Sequence, residues 1–123
     1  MTLMEALIQA DLLRPNELDP SLKLRWLSTL DGQIYTELLQ PHGDGPETFS
    51  GYGEDTELQS TQLLVPWPYD ELYLRYLVMR LDLEHGELDR YNNSAAAFNR
   101  LWQSWAGHYA RNHRLSGVTG LKF

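Results

Sequence analysis

An unbroken helical repeat of apolar residues near the C-terminal end constrains the fold more than any other feature of this chain. The repeat advances in alternating three- and four-residue steps, through Leu88, Tyr91, Ala95, Phe98, Trp102, Trp105 and Tyr109. This spacing keeps one face of an α-helix apolar over many turns. It predicts a helix over residues 87–112 whose wide aromatic face packs against another helix.

The partner helix is predicted immediately before it, over residues 69–85. Apolar side chains cover most sides of this segment, which favours a central, buried position. Gly86 follows, so residues 69–112 are expected to form an antiparallel helical hairpin. The predicted core of the hairpin includes Leu72, Tyr76, Ala95, Phe98, Trp102 and Trp105.

Two further helices are predicted nearer the N-terminus. Thr2 and Glu5 have the spacing of a capping box, which begins a helix over residues 2–14. Asp19 is an N-cap acceptor followed by proline, whose missing N–H costs nothing at the first helical position. A second helix is therefore predicted over residues 20–40. The expected fold class is mostly α, a single domain of four helices.

Residues 41–62 differ in composition from the predicted helices. They hold four glycines and five acidic residues, with no Lys or Arg. Such an acidic loop, about 20 residues long, exceeds the usual connection length and is either functional or mobile. Phe49 and Tyr52 are expected to anchor it to the domain, and residues 63–65 are compatible with one short strand.

Composition narrows the classes of function. Ten Lys and Arg stand against 17 Asp and Glu, and the net charge of −7 opposes attraction to nucleic acid or an anionic membrane. The chain has no Cys, which removes thiol chemistry and Cys-based metal sites. His108 and His113 are five residues apart, a step that directs helical side chains away from a common ion. We therefore expect no metal and no cofactor.

Catalysis is not expected either. The acidic residues of the last two predicted helices lie about one helical turn from arginines, which gives them local ionic partners. The glycine pairs of the acidic loop neither follow a strand nor begin a helix, so they do not form a phosphate-binding loop. We expect no enzymatic activity and no small-molecule substrate.

Residues 113–123 form a predicted extended tail. The chain carries basic residues and no acid from Arg111 onward, in contrast to the acidic loop. Opposite charges allow the tail of one copy to contact the loop of another, and such head-to-tail contacts close into rings or continue as filaments. The alternative is two unrelated solvated segments. The predicted contact residues are Arg111, Arg114, Leu121, Lys122 and Phe123 in the tail, and Glu54, Asp55 and Glu57 in the loop.

Several stretches resemble one group of small proteins from phage and prophage head-assembly gene sets. They are, in chain order, MTLMEALIQADLLRPN, LKLRWLSTLDGQIY, GYGEDTELQSTQLLVPWPYDELYLRYL and DLEHGELDRYNNSAAAFNRLWQSWAGHYARNH. The most specific parts are LLVPWPYDELY and GELDRYNNSAAAFN. This group is similar to the head-tail connector proteins of tailed phages, also called adaptor or head completion proteins.

The resemblance implies a helical structural protein without enzymatic activity that forms a ring beneath the portal. Its partners would be further copies of the chain, the portal protein and tail-side connector proteins, with no sequence-specific binding of nucleic acid and no membrane contact. It would be located in the virion, and in the bacterial host cytoplasm during assembly. The sequence leaves one alternative open, a small prophage-encoded regulatory protein that binds a host protein through the acidic loop.

Overall fold

A computed structural model of the chain describes residues 1–112, and its regular secondary structure is helical. The helices are α1 (Leu3–Leu13), α2 (Pro20–Ile34), α3 (Glu71–Glu84) and α4 (Leu88–Asn112). The predicted mostly α fold with four helices is therefore confirmed. Within the described range, none of the helices combines the length and apolar character needed to span a membrane. The predicted tail lies outside the described residues.

Local hydrogen bonds begin the first two helices. The Thr2 hydroxyl accepts from the Glu5 backbone at 3.1 Å, and the Glu5 carboxylate accepts from the Thr2 backbone at 2.8 Å, so the capping box is complete. The Asp19 carboxylate accepts from the backbone N–H of Ser21 at 2.8 Å and caps α2. Both predicted helix starts are confirmed to within one residue.

The second helix does not end as a regular α-helix. It continues into a five-residue π-helical segment, Tyr35–Leu39, in which the N–H of Gln40 donates to the carbonyl of Tyr35 at 2.8 Å. Tyr35 and Leu39 are both buried. Turns of this kind are rare and are found disproportionately near functional sites. The π-helical segment takes up most of the remainder of the helix predicted to residue 40.

Helices α3 and α4 form the predicted antiparallel hairpin. Gly86 makes the turn between them with φ of +69°, a conformation that favours glycine. Three side-chain pairs, one near the turn, one midway and one at the open end, fix the register: Ser94 with Asp82, Phe98 with Tyr76, and His108 with Tyr69.

The centre of the domain is α3, which contacts each of the other three helices. By contrast, α4 lies along α3, and its Phe98 and Trp102 line an open pocket together with Leu30 of α2. The aromatic face of α4 is therefore only partly covered: Trp105 is buried, whereas Phe98 and Trp102 are half-buried. The prediction that the whole face belongs to the core was too broad, because α4 lies at the edge of the helical bundle.

The segment before α3 contains no strand in the described part of the chain. Thr2 and Gln62 form one isolated antiparallel bridge. The N–H of Val65 donates to the hydroxyl of Tyr73 at 2.8 Å, so a side chain takes the place of a neighbouring strand. The predicted strand at residues 63–65 is wrong for this reason.

Ion pairs with one buried partner each join the helices to one another. The Lys23 ammonium is 2.9 Å from both carboxylate oxygens of Asp11, which links α2 to α1. The Arg14 Nε donates to the buried Asp82 at 2.8 Å, which links the end of α1 to α3. These pairs connect distant parts of the chain, in contrast to the pairs within one helix that the spacing suggested.

Alanine substitutions at two glycines with open surroundings test the effects of helix propensity and of backbone conformation on stability separately. A Cβ atom at Gly32, inside α2, or at Gly86 would meet no heavy atom within 4 Å. We expect Gly32→Ala to raise the free energy of unfolding by about 0.5–1 kcal/mol, because alanine loses less backbone entropy in a helix. We expect Gly86→Ala to lower it by about 1–2 kcal/mol, because its φ is positive. Urea denaturation measures both, and shifts of the same sign would contradict this account.

Candidate protein-binding site

An open apolar pocket lies beside the C-terminal half of α4. Its volume of about 350 Å³ is at the lower end of the range for ligand pockets. Three parts of the chain form it: the turn after the π-helical segment, residues 64–69, and the last turns of α4. The side chains that define its walls include Leu39, Leu64, Trp67, Tyr69, Trp105 and Tyr109.

Trp67 stands on the rim of this pocket. Its side chain is 82% exposed, the largest exposure of any large apolar residue in the described range. Pro66 and Pro68 flank it and restrict the backbone, and the Trp67–Pro68 peptide bond is cis. Exposed tryptophans beside apolar pockets are typical of protein-binding surfaces, where Trp often supplies a large share of the binding energy.

A hydrogen bond ties the α4 side of the pocket wall to the acidic loop. The Tyr109 hydroxyl donates to the Asp44 carboxylate at 2.6 Å. Burial raises the pKa of Tyr109, and the hydrogen bond to Asp44 and its charge raise it further, so the phenol stays protonated and continues to donate. The ring of His42 packs edge-on against Tyr109 with centroids 5.0 Å apart. The loop is thereby held against the last turns of α4.

A buried carboxylate links α2 to the acidic loop and to α3. Asp31, in α2, is fully buried and accepts hydrogen bonds from the hydroxyls of Tyr52 and Tyr73. Burial raises the pKa of Asp31, while the two tyrosine hydrogen bonds lower it in part. Burial also raises the pKa of both tyrosines, and the Asp31 charge adds to that effect. The loop and α3 are thus joined to α2 through one side chain.

The same carboxylate positions the pocket wall. Asp31 accepts from the backbone N–H of Leu64 at 3.1 Å, and the N–H of the next residue, Val65, is bonded to Tyr73. Two consecutive amides are therefore fixed immediately before the segment that presents Trp67. The segment that leads to the rim of the pocket is therefore held in place by a buried hydrogen-bond network.

The acidic loop is attached to the domain at both predicted anchors. The centroid of the Phe49 ring lies 5.9 Å from the ring centroid of Tyr35 and 5.2 Å from that of Tyr52. The backbone N–H of Tyr52 donates to the hydroxyl of Ser28 at 2.9 Å. The central part of the loop therefore packs along α2.

The structure places the predicted contact residues on different parts of the surface. Glu54, Asp55 and Glu57 are exposed in the second half of the loop, where Glu54 lies beside the start of α2. Arg111 is exposed in the last turn of α4. The ion pairs found in residues 1–112 do not join Arg111 to these acids. Four further predicted contacts, Arg114, Leu121, Lys122 and Phe123, lie outside the described residues.

Sequence reasoning missed the pocket itself. Trp67 lies in a segment without periodicity, and periodicity is the signal that separates buried from exposed apolar residues. The Pro-Trp-Pro triplet was the available clue, because two prolines prevent the tryptophan from joining a helix or a central strand.

The pocket combines aromatic and aliphatic walls with one carboxylate, Asp44. Within residues 1–112, no cluster of three or more His, Asp or Glu side chains is arranged to hold a metal ion. His108, at the pocket, stacks on Tyr69 with ring centroids 4.8 Å apart. Such a lining suits an apolar group that carries a polar or positively charged end. Comparisons with models of protein families, with curated proteins and with solved structures find no match to this chain.

Trp67 and Trp105 line the same pocket but differ in exposure, so replacing each with alanine tests how far burial determines the loss of stability. We expect Trp67→Ala to change the free energy of unfolding by about 0.5 kcal/mol or less, because the helical core leaves most of this side chain exposed. We expect Trp105→Ala to lower it by about 3–5 kcal/mol, because the side chain is 2% exposed. Urea denaturation of the two variants measures the difference, and a large loss in Trp67→Ala would mean that this residue belongs to the core.

The raised pKa of Asp31 predicts a pH dependence of stability. In the unfolded chain its pKa is about 3.9. Between that value and the folded-state pKa the native state binds the proton more tightly, so the stability contribution of Asp31 falls as pH rises through this interval. Asp31→Asn does not titrate. We therefore expect the stability of the wild type, relative to this variant, to be greater at about pH 4 than at about pH 7 in urea denaturation. A difference independent of pH would contradict the assignment.

Proposed function

We propose that this chain is a structural virion protein of a phage or prophage, a head-tail connector that assembles as a ring at the portal. One observation carries the proposal: LLVPWPYDELY, a most specific part of the resemblance, contains the residues 64–69 that form a wall of the pocket. A distinctive stretch without evident chemistry is explained if its role is to contact another protein. The protein would act in the virion, and in the host cytoplasm during assembly.

The proposed partners are other copies of the chain, the portal protein and tail-side connector proteins. A ring needs two different surfaces on each subunit, since head-to-tail contacts join unlike faces. The exposed loop acids Glu54, Asp55 and Glu57 supply one charged surface, and Arg111 at the end of α4 begins the other. Arg114, Leu121, Lys122 and Phe123 would extend the second surface. Charge complementarity would orient the approach, and apolar contacts at Trp67 would supply most of the affinity.

The test is reconstitution of the full chain with the portal protein encoded in the same gene set, followed by electron microscopy and a binding titration. We expect rings of the wild-type chain on the portal. Trp67→Ala should weaken the association by about tenfold or more, as for a binding hot spot. Leu12→Ala is the matched control, because Leu12 is 76% exposed but lies on α1, away from the pocket, and we expect it to bind normally.

Three results would contradict the proposal. The first is failure of the wild type to form rings or to bind the portal. The second is equal binding by wild type and Trp67→Ala, which would exclude the pocket as the contact. The third is a discrete complex with one host protein in place of rings, which would favour the alternative of a prophage-encoded regulatory protein.

A further inference from the structure

The pocket lies close to the point where the described chain ends. Trp105 and Tyr109 line it, about two turns and one turn before the last residue of α4, Asn112. At 1.5 Å per residue, their Cα atoms lie only about 10 and 5 Å back along the helix axis. Eleven residues follow Asn112 and would span about 36 Å if fully extended. The chain is therefore long enough to turn back and cover the pocket.

The sequence of residues 113–123 complements the pocket chemically. Its apolar residues match the aromatic and aliphatic walls, and Arg114 and Lys122 match the negative charge of Asp44. Two glycines within it permit the sharp turn that a return along α4 requires. The apolar residues of the segment are Leu115, Val118, Leu121 and Phe123.

We propose that in the isolated subunit the pocket between Trp67 and α4 binds residues 113–123 of the same chain. A short tether holds its end at an effective concentration of the order of millimolar, above the concentration of a second copy in dilute solution. The segment of the same chain is therefore the favoured occupant. Binding it would cover part of Trp67, an apolar surface that otherwise faces water.

This contact would also restrain assembly. A neighbouring copy carries the identical segment. If its residues 113–123 replaced those of the same chain in the pocket, the contacts would be the same and only the chain that supplies them would differ, as in domain swapping. The segment would then protect free subunits and become available when subunits are concentrated at an assembly site. The proposal for the isolated subunit does not depend on the connector function.

The test is ¹⁹F NMR of the full chain labelled with 5-fluorotryptophan. The four tryptophans give separate probes, and the Trp67 resonance is identified by its loss in Trp67→Phe. The test variant combines Leu121→Ser with Phe123→Ser, and the control, Ser116→Ala, lies in the same segment. We expect the Trp67 resonance to shift in the double variant and to stay in place in the control. The resonance of Trp26, which is buried in α2, should be unchanged in both.

Dilution of the wild type distinguishes the source of the segment. Contact within one chain predicts a Trp67 resonance that keeps its position over a tenfold dilution. A resonance that moves with concentration would assign the segment to a second copy and overturn the proposal. An unchanged Trp67 resonance in the double variant would overturn it as well, while rings on the portal would still support the connector function.

Discussion

A single buried carboxylate connects the helical core to the surface that carries the candidate binding site. Within residues 1–112, Asp31 has no cation among its hydrogen-bond partners and accepts from the hydroxyls of Tyr52 and Tyr73 and the amide of Leu64. A buried charge without such donors would be costly, so the elements that supply them must stay together. The long loop, α2 and α3 are therefore expected to unfold as one unit, and the pocket wall takes its rigidity from the core.

This rigidity matters for recognition. Binding costs free energy whenever the interacting groups have to be ordered, and a surface that is already fixed avoids part of that cost. Trp67 is presented between two prolines, directly after two amides that the core hydrogen-bonds. The opposite wall is held by the bond between Tyr109 and Asp44. Both sides of the pocket are thus fixed by hydrogen bonds within the chain, although they come from segments far apart in the sequence.

The helices were predictable because their signals are local. The caps at Thr2 and Asp19 indicate where α1 and α2 begin. The three- and four-residue repeat of α4 indicates which face of that helix is apolar. Periodicity does not tell how many neighbours cover that face, and for this reason the half-burial of Trp102 was not foreseen. The site depends on contacts between segments far apart in the sequence, so the sequence contains only weak signals of it. One of them was Asp31, a charge placed on the apolar face of α2, four residues after Leu27.

The π-helical segment at the end of α2 has a consequence for relatives of this protein. Each residue of an α-helix turns the chain by about 100°, so adding or removing one residue there changes the side on which the chain leaves the helix. Leu39, the last residue of the segment, lines the pocket together with Gly45, where an added Cβ would come within 3.1 Å of the Leu39 side chain. We therefore expect related proteins that keep the pocket to keep the same number of residues in this π-helical segment. In a related sequence, a one-residue gap at this point would indicate a pocket of different shape on the same four helices.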